Sequence, residues 1–130
     1  MVDNMADIYE ELKYTDNHEW IKVDGDEITY GITDYAQDEL GDIVYVELPM
    51  EGEEVEKGDV IGVVESVKTV SDLYAPVSGT ISAVNTDLEG EPEKINEKPF
   101  GDGWIAKIEM DDESELDDLL SAEEYKKETE

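Results

Sequence analysis

The sequence predicts one mainly β domain with short helices, including helices near its carboxy-terminal end. Three observations predict it. Apolar residues come in short alternating or β-branched runs, turn residues punctuate those runs, and a helical period of 3.6 occurs only in brief stretches. With 130 residues and 38% hydrophobic content, the chain can bury one modest core and not two. The domain is therefore drawn as residues 1–130, with 1–10 a frayed lead-in and 113–127 a helical tail.

The elements follow in order. Trp20-Ile21-Lys22-Val23 reads as a strand, Asp24-Gly25-Asp26 as a turn, and Glu27-Ile28-Thr29-Tyr30-Gly31-Ile32 as the returning strand of a hairpin. A short helix comes next, with Asp34 as its cap, Gln37 as the capping-box partner and Gly41 as the stop. Ala36 and Leu40 share its apolar face. Ile43-Val44-Tyr45-Val46-Glu47-Leu48 is a largely buried strand closed by Pro49.

At the centre, residues 60–66 and 69–74 are β runs, and Ser66-Val67-Lys68-Thr69 between them suits a tight hairpin turn. A weak repeat flanks that turn: Gly58 to Val63 resembles Gly79 to Val84, so Lys68 falls almost midway between two similar units. Residues 90–103, with Pro92, Pro99, Gly101 and Gly103, read as loop, and Trp104 to Glu109 as the closing strand. In the tail, Ser114 with Asp117 and Ser121 with Glu124 have capping-box spacing, and Leu116, Leu119 and Leu120 form an apolar face.

Composition excludes several functions. There is no cysteine, hence no disulfide framework, thiolate metal site or cysteine nucleophile. The chain carries 38 acids against nine bases, all lysines, for a net charge of −29. Such a surface repels phosphate backbones and anionic membranes, so neither nucleic acid nor membrane is expected as a partner. The acids run the whole length through apolar periodic segments, which suggests a folded domain adapted to high salt rather than a disordered acidic chain. No apolar run approaches the roughly 20 residues of a membrane span, and the amino-terminal residues are acidic, so a cytoplasmic protein is expected. Runs such as Asp111-Asp112-Glu113 lack the spacing and central glycine of a calcium loop, and no metal site is expected.

Among the lysines, Lys68 stands apart by its setting at a hairpin tip, with Glu65 three residues before it. A modifying enzyme needs an exposed amine in one fixed presentation, which a rigid turn supplies. From the residues alone, modification and an ordinary surface lysine both stay open.

Glu65-Ser66-Val67-Lys68, Ser71-Asp72 and Ala75-Pro76-Val77-Ser78-Gly79 together resemble the lipoylation segment of the glycine cleavage system H proteins. His18-Glu19-Trp20, Gly31 to Gln37, Val46-Glu47-Leu48-Pro49, Gly103-Trp104 and the tail Leu119 to Tyr125 are further signatures of that family, in its order. The resemblance covers about residues 11–126. It implies a barrel-sandwich hybrid of antiparallel strands related to lipoyl and biotinyl domains. It implies lipoate amide-linked to Lys68, on a carrier that is not itself an enzyme.

The implied partners are four. A pyridoxal-phosphate glycine decarboxylase loads the arm with an aminomethyl group. A tetrahydrofolate-dependent aminomethyltransferase unloads it, and a flavin-containing dihydrolipoamide dehydrogenase reoxidises the dithiol. A lipoate-attaching enzyme is the fourth, with Glu65 as its recognition feature. The carrier itself is expected to be a monomer.

The resemblance also implies that Glu19 and Asp72 contact the loaded arm, whose terminal ammonium a carboxylate could hold. Read simply as residues, Asp72 ends a strand and Glu19 is one exposed acid among 38. His18, the only histidine, has no nucleophile beside it in sequence and reads as structural. Asn17 and Glu39 depart from the family, which often has Ser and His there. Trp20 and Trp104 read as core aromatics. The competing readings are a lipoyl domain of a 2-oxoacid dehydrogenase complex, an H-like lipoate-relay protein, a biotin carrier and a Schiff-base enzyme. A biotin carrier would put Met on both sides of the lysine, where Val67 and Thr69 stand. A Schiff-base lysine would need a desolvated pocket.

Overall fold

In a computed structural model, residues 7–129 are described. Nine strands form two antiparallel sheets among these residues. The larger sheet runs β1 (Lys13–Tyr14), β2 (Glu19–Asp24), β3 (Glu27–Ile32), β9 (Ala106–Met110), β8 (Gly79–Val84) and β5 (Glu54–Val55) from edge to edge. The smaller runs β4 (Ile43–Glu47), β6 (Val60–Ser66) and β7 (Val70–Tyr74). The expected barrel-sandwich of antiparallel strands with short helices is the observed architecture. Among the described residues no helix is long and apolar enough to cross a membrane.

The main core lies between the sheets. Alternation on β2 and β3 turns Ile21, Ile28, Tyr30 and Ile32 inward to meet Val46, Val64 and Leu73 of the smaller sheet. Gly79 shows how closely β8 and β9 approach: a Cβ there would stand 2.0 Å from the Glu109 carbonyl oxygen. A second cluster of Leu12, Tyr14, Trp20, Ala122 and Tyr125 joins α4 (Ala122–Thr129) to the other face of the larger sheet. Trp20 is buried in it, its indole N–H donating to the Pro99 carbonyl at 2.9 Å, and Trp104 packs against it half-buried. Trp20 is a core aromatic, and Trp104 sits at the edge of its cluster.

Several local expectations need correction. Helix α1 (Asp34–Leu40) is capped by Thr33, not Asp34. Thr33 has the extended backbone a cap requires, and its Oγ1 accepts the Ala36 N–H at 3.1 Å. Asp34 already sits in the first turn, where its carboxylate accepts from the Gln37 amide and from the Asp7 N–H. Ser114 and Asp117 form no capping box. Asp112 caps a 3₁₀ helix (Glu113–Asp118), its Oδ1 accepting from the N–H and hydroxyl of Ser114.

The Ser121–Glu124 box is present in both directions: Glu124 N–H donates to Ser121 Oγ at 3.1 Å, and Ser121 N–H to Glu124 Oε1 at 2.9 Å. The 90–103 stretch contains single helical turns rather than continuous loop, α2 (Asp87–Gly90) ending within it and α3 (Lys94–Glu97) wholly inside it. One turn is too short to show a period in sequence. The two similar units flanking Lys68 lie in different sheets, one on β6 and the other on β8. Of the lead-in at 1–10, residues 1–6 lie outside the described residues. Beyond them, Tyr9 meets Phe100 edge-on and its N–H donates to the Tyr14 hydroxyl.

Candidate functional site

Lys68 stands at the tip of the β6–β7 hairpin, and its side chain is exposed. Ser66 builds the tip. Its N–H donates to the Thr69 carbonyl at 2.8 Å, and its Oγ accepts the N–H groups of Lys68 and Thr69, each at 3.1 Å. The remaining tip amide, Val67 N–H, donates to the Asp42 carbonyl at 3.0 Å. All four backbone donors from Ser66 to Thr69 thus have acceptors, which fixes the direction in which Lys68 leaves the chain.

The lysine rests on the end of α1. Its Nζ donates to the Glu39 carbonyl at 3.4 Å, where an ammonium also meets the favourable end of the helix dipole. Its stem crosses Gly41, which has φ +83° and is the helix stop. A Cβ at Gly41 would approach Lys68 Cε to 3.2 Å. Glycine therefore serves twice there, for the left-handed backbone and for the room it leaves.

Beside the lysine a cleft of about 240 Å³ opens between α1 and β7. Asp72, Ser71, His18, Asn17, Glu39 and Tyr35 line it, over Val64 and Leu73. Asp72 is exposed on β7, opposite Val63. His18 has φ +65°, and its Nδ1 lies 2.9 Å from the Tyr125 hydroxyl, itself 2.7 Å from Thr33 Oγ1. Burial pushes the imidazole below the ordinary histidine range, against the raising effect of Glu128, Asp16 and Glu39.

Glu19 is elsewhere. It is 1% exposed in the core, so it is not one surface acid among many. Its Oε1 accepts from the Thr15 hydroxyl at 3.2 Å and its Oε2 from the Tyr74 N–H at 2.9 Å. Burial pushes its carboxyl up to about 7, the two hydrogen bonds only partly opposing that. It borders a second hollow of about 210 Å³ with Thr15, Gly58, Ala75 and Pro76, and Asn17 lines both hollows.

Glu65 projects from β6 in a row with Tyr45 and Val70. This is the outer face of the smaller sheet, and it is unusually apolar. Among the described residues, Val44, Tyr45, Val60, Val67 and Val70 are five of the eight large apolar side chains that are exposed, and all belong to this sheet or its hairpin. An irregularity in β4 between Ile43 and Tyr45 turns both Val44 and Tyr45 outward.

The structure thus gathers Asp72, His18, Asn17 and Glu39 at one cleft, and Lys68 reaches the Glu39 carbonyl. It sets Glu65 on the outer face and Glu19 in the core. The sequence reading missed Ser66 as the maker of the tip, although a Ser three residues before Thr69 is a recognisable turn signal. It also missed Gly41 as the lysine's seat, which only the tertiary fold reveals.

The family model described as Glycine cleavage H-protein matches residues 12–130. The chain is 60% identical over 116 residues to the glycine cleavage system H protein of Staphylococcus haemolyticus, covering 89% of this chain and 92% of that one. It is 58% identical over 120 residues to the probable glycine cleavage system H protein of Haloarcula marismortui, covering 92% and 94%. The crystal structure of a glycine cleavage system H protein from Mycobacterium marinum superposes with a TM-score of 0.84 at 42% identity, covering 93% of this chain and 98% of that one.

Proposed function

The chain belongs to the glycine cleavage H-protein family, carrier subunits that hold lipoate and are not themselves catalysts, and from that premise we propose that Lys68 is its lipoyl attachment point. The observation that carries this reading is the hairpin tip, where every backbone donor from Ser66 to Thr69 is satisfied and the lysine amine is exposed. Attachment as an amide removes one positive charge and takes the net from −29 to −30. The attached group supplies the thiol and disulfide chemistry, which a chain without cysteine cannot itself provide or disturb.

The chain's own residues supply presentation. Asp72 is proposed as the acid that holds the ammonium end of a loaded arm, supported by its place in the cleft beside His18 and Glu39. Glu19, the second acid proposed for the arm, would meet it only from beyond Asn17, because both its oxygens are held in the core. Glu65 is proposed as a recognition feature for the lipoate-attaching enzyme, supported by its position among exposed Tyr45 and Val70. The proposed partners are the glycine decarboxylase, the tetrahydrofolate-dependent aminomethyltransferase and dihydrolipoamide dehydrogenase. They would be met by a salt-adapted, cytoplasmic, monomeric carrier forming one domain over residues 1–130. The lipoyl domain of a 2-oxoacid dehydrogenase and the lipoate-relay protein are not favoured.

Intact-mass measurement after incubation with a lipoate-protein ligase, ATP and lipoate tests the attachment. A lipoyl-sized increment absent from Lys68→Ala is expected. An increment that survives the substitution, or none on the wild-type chain, would overturn it.

A further inference from the structure

Asn96 lies in α3, 28 positions beyond Lys68, in a stretch that reads as loop in sequence. Its side-chain amide makes three hydrogen bonds, all to the segment that ends α1 and begins β4. Its Oδ1 accepts the Ile43 N–H at 2.8 Å, and its Nδ2 donates to the Gly41 carbonyl and to Gln37 Oε1, both at 2.9 Å. Oxygen meets a donor and nitrogen meets two acceptors, so only one orientation of the amide fits.

The Ile43 N–H and the Asp42 carbonyl belong to one peptide unit. Asn96 holds that unit by its N–H, while the Val67 N–H at the hairpin tip holds it by its carbonyl. The result is a continuous line from the Asn96 amide, through the 42–43 peptide, to the residue beside Lys68. Each bond in such a line polarises the next. On the other side of Asp42, Asn96 fixes the Gly41 carbonyl, and Gly41 is the surface that the Lys68 stem crosses.

We propose that Asn96 is a positioning residue for Lys68: it clamps the Gly41–Ile43 turn, and that turn holds both the hairpin tip and the stem of the lysine. Two things follow. Without the clamp the 42–43 peptide can rotate away from Val67, and the tip loses the bond that ties Val67 to the α1–β4 turn. The lysine then samples more directions, which lowers the rate at which an enzyme can attach a group to it without altering its intrinsic reactivity. The consequence for modification rests on Lys68 being the attachment point, whereas the clamp itself does not.

The test therefore has two readouts on Asn96→Ala and on the milder Gln37→Ala, which removes a single one of the three bonds. Amide hydrogen exchange is measured at Val67 and, as reference, at Ile28 and Ile108 in the central β3–β9 pair. Attachment is measured as kcat/KM for lipoylation of the full chain. In Asn96→Ala we expect the Val67 amide to exchange at least tenfold faster with the reference amides unchanged, and lipoylation kcat/KM to fall severalfold. Gln37→Ala should show the same pattern with smaller changes. Unchanged exchange at Val67, or equal acceleration at Val67, Ile28 and Ile108, would overturn the clamp. Faster Val67 exchange with unaltered lipoylation kinetics would overturn its role in presenting the lysine. Failure of the wild-type chain to accept lipoate at Lys68 would instead sink the attachment reading and leave the exchange result to judge the clamp alone.

Discussion

Glu19 of β2 accepts the backbone N–H of Tyr74 at the end of β7 at 2.9 Å, so one buried carboxylate ties the larger sheet to the smaller. The bond reaches across the core rather than along a ladder. It lies at the far end of the strand that begins at the Lys68 hairpin, and so belongs to the frame on which Asp72 is carried. The acid is also expensive to ionise. It has two hydrogen bonds and, among the described residues, no ion pair, which is less than a buried carboxylate needs.

Replacing Glu19 by Gln should therefore stabilise the chain in a pH-dependent way. The carboxyl is raised from 4.5 to about 7, so the native state binds its proton more tightly than the unfolded state. The stability this confers is fully present below about pH 4.5 and is lost as pH rises through about 7. Glutamine keeps an acceptor for Tyr74 and never ionises. Its advantage should be absent at pH 4 and reach up to about 3 kcal/mol above pH 8. Urea unfolding of both proteins across that range, at fixed molar salt, measures the difference. An advantage that does not change with pH would mean that the carboxylate is not penalised in the core.

Tyr125→Phe should destabilise the chain by about 1–3 kcal/mol although the ring remains. The hydroxyl bridges His18 Nδ1 and Thr33 Oγ1, while the ring stacks on Tyr14 at 4.6 Å between centroids. Phenylalanine keeps the stack but leaves the half-buried His18 Nδ1 without this partner, and leaves the buried Thr33 Oγ1 with the Ala36 N–H alone. The loss should be matched by altered ¹⁵N shifts of the His18 ring in NMR. A melt and an imidazole spectrum both unchanged would show that water replaces the hydroxyl at no cost.

These cases mark what was legible in sequence. The Lys68 tip could be read because two β-branched runs leave only four residues to turn in. The Ser121–Glu124 box could be read because its chemistry is local. The site of Glu19 was obscured by its charge: Ile21 and Val23 alternate with it on one face, but an acid at the start of a strand suggests solvent. Thr33 and Asp34 are both good caps, and only the backbone path chooses between them. Asn96 left no signal, since its partners lie 53 to 59 positions away.

Stability should rise with salt. Three ion pairs, all with at least one well-exposed partner, are formed among the described residues, so most of the 38 acids have no cation to offset them. Raising KCl from about 10 mM to about 1 M shortens the reach of charge from about 30 Å to about 3 Å. The melting temperature is expected to fall steeply as KCl is withdrawn, with the native fold regained on its return. A melting curve indifferent to salt would remove the reading of the acids as an adaptation to it.

The proposed salt adaptation also bears on how such a carrier would meet its proposed enzymes. At molar ionic strength attraction between charged surfaces is nearly gone, whereas apolar contact is kept. The exposed Val44, Tyr45, Val67 and Val70 lie on the sheet and hairpin that carry the lysine, on a chain rich in acids. A partner presenting an apolar surface would fit that face. Val70→Asp adds a charge at an exposed strand position opposite Glu65, and at molar KCl, where that repulsion is screened, it should cost no more than about 1 kcal/mol of stability. At molar KCl it should raise the KM of the lipoylated carrier with the aminomethyltransferase about tenfold, with kcat little changed, because docking is lost and the arm is intact. Equal KM values for the two carriers would place the docking surface on another face.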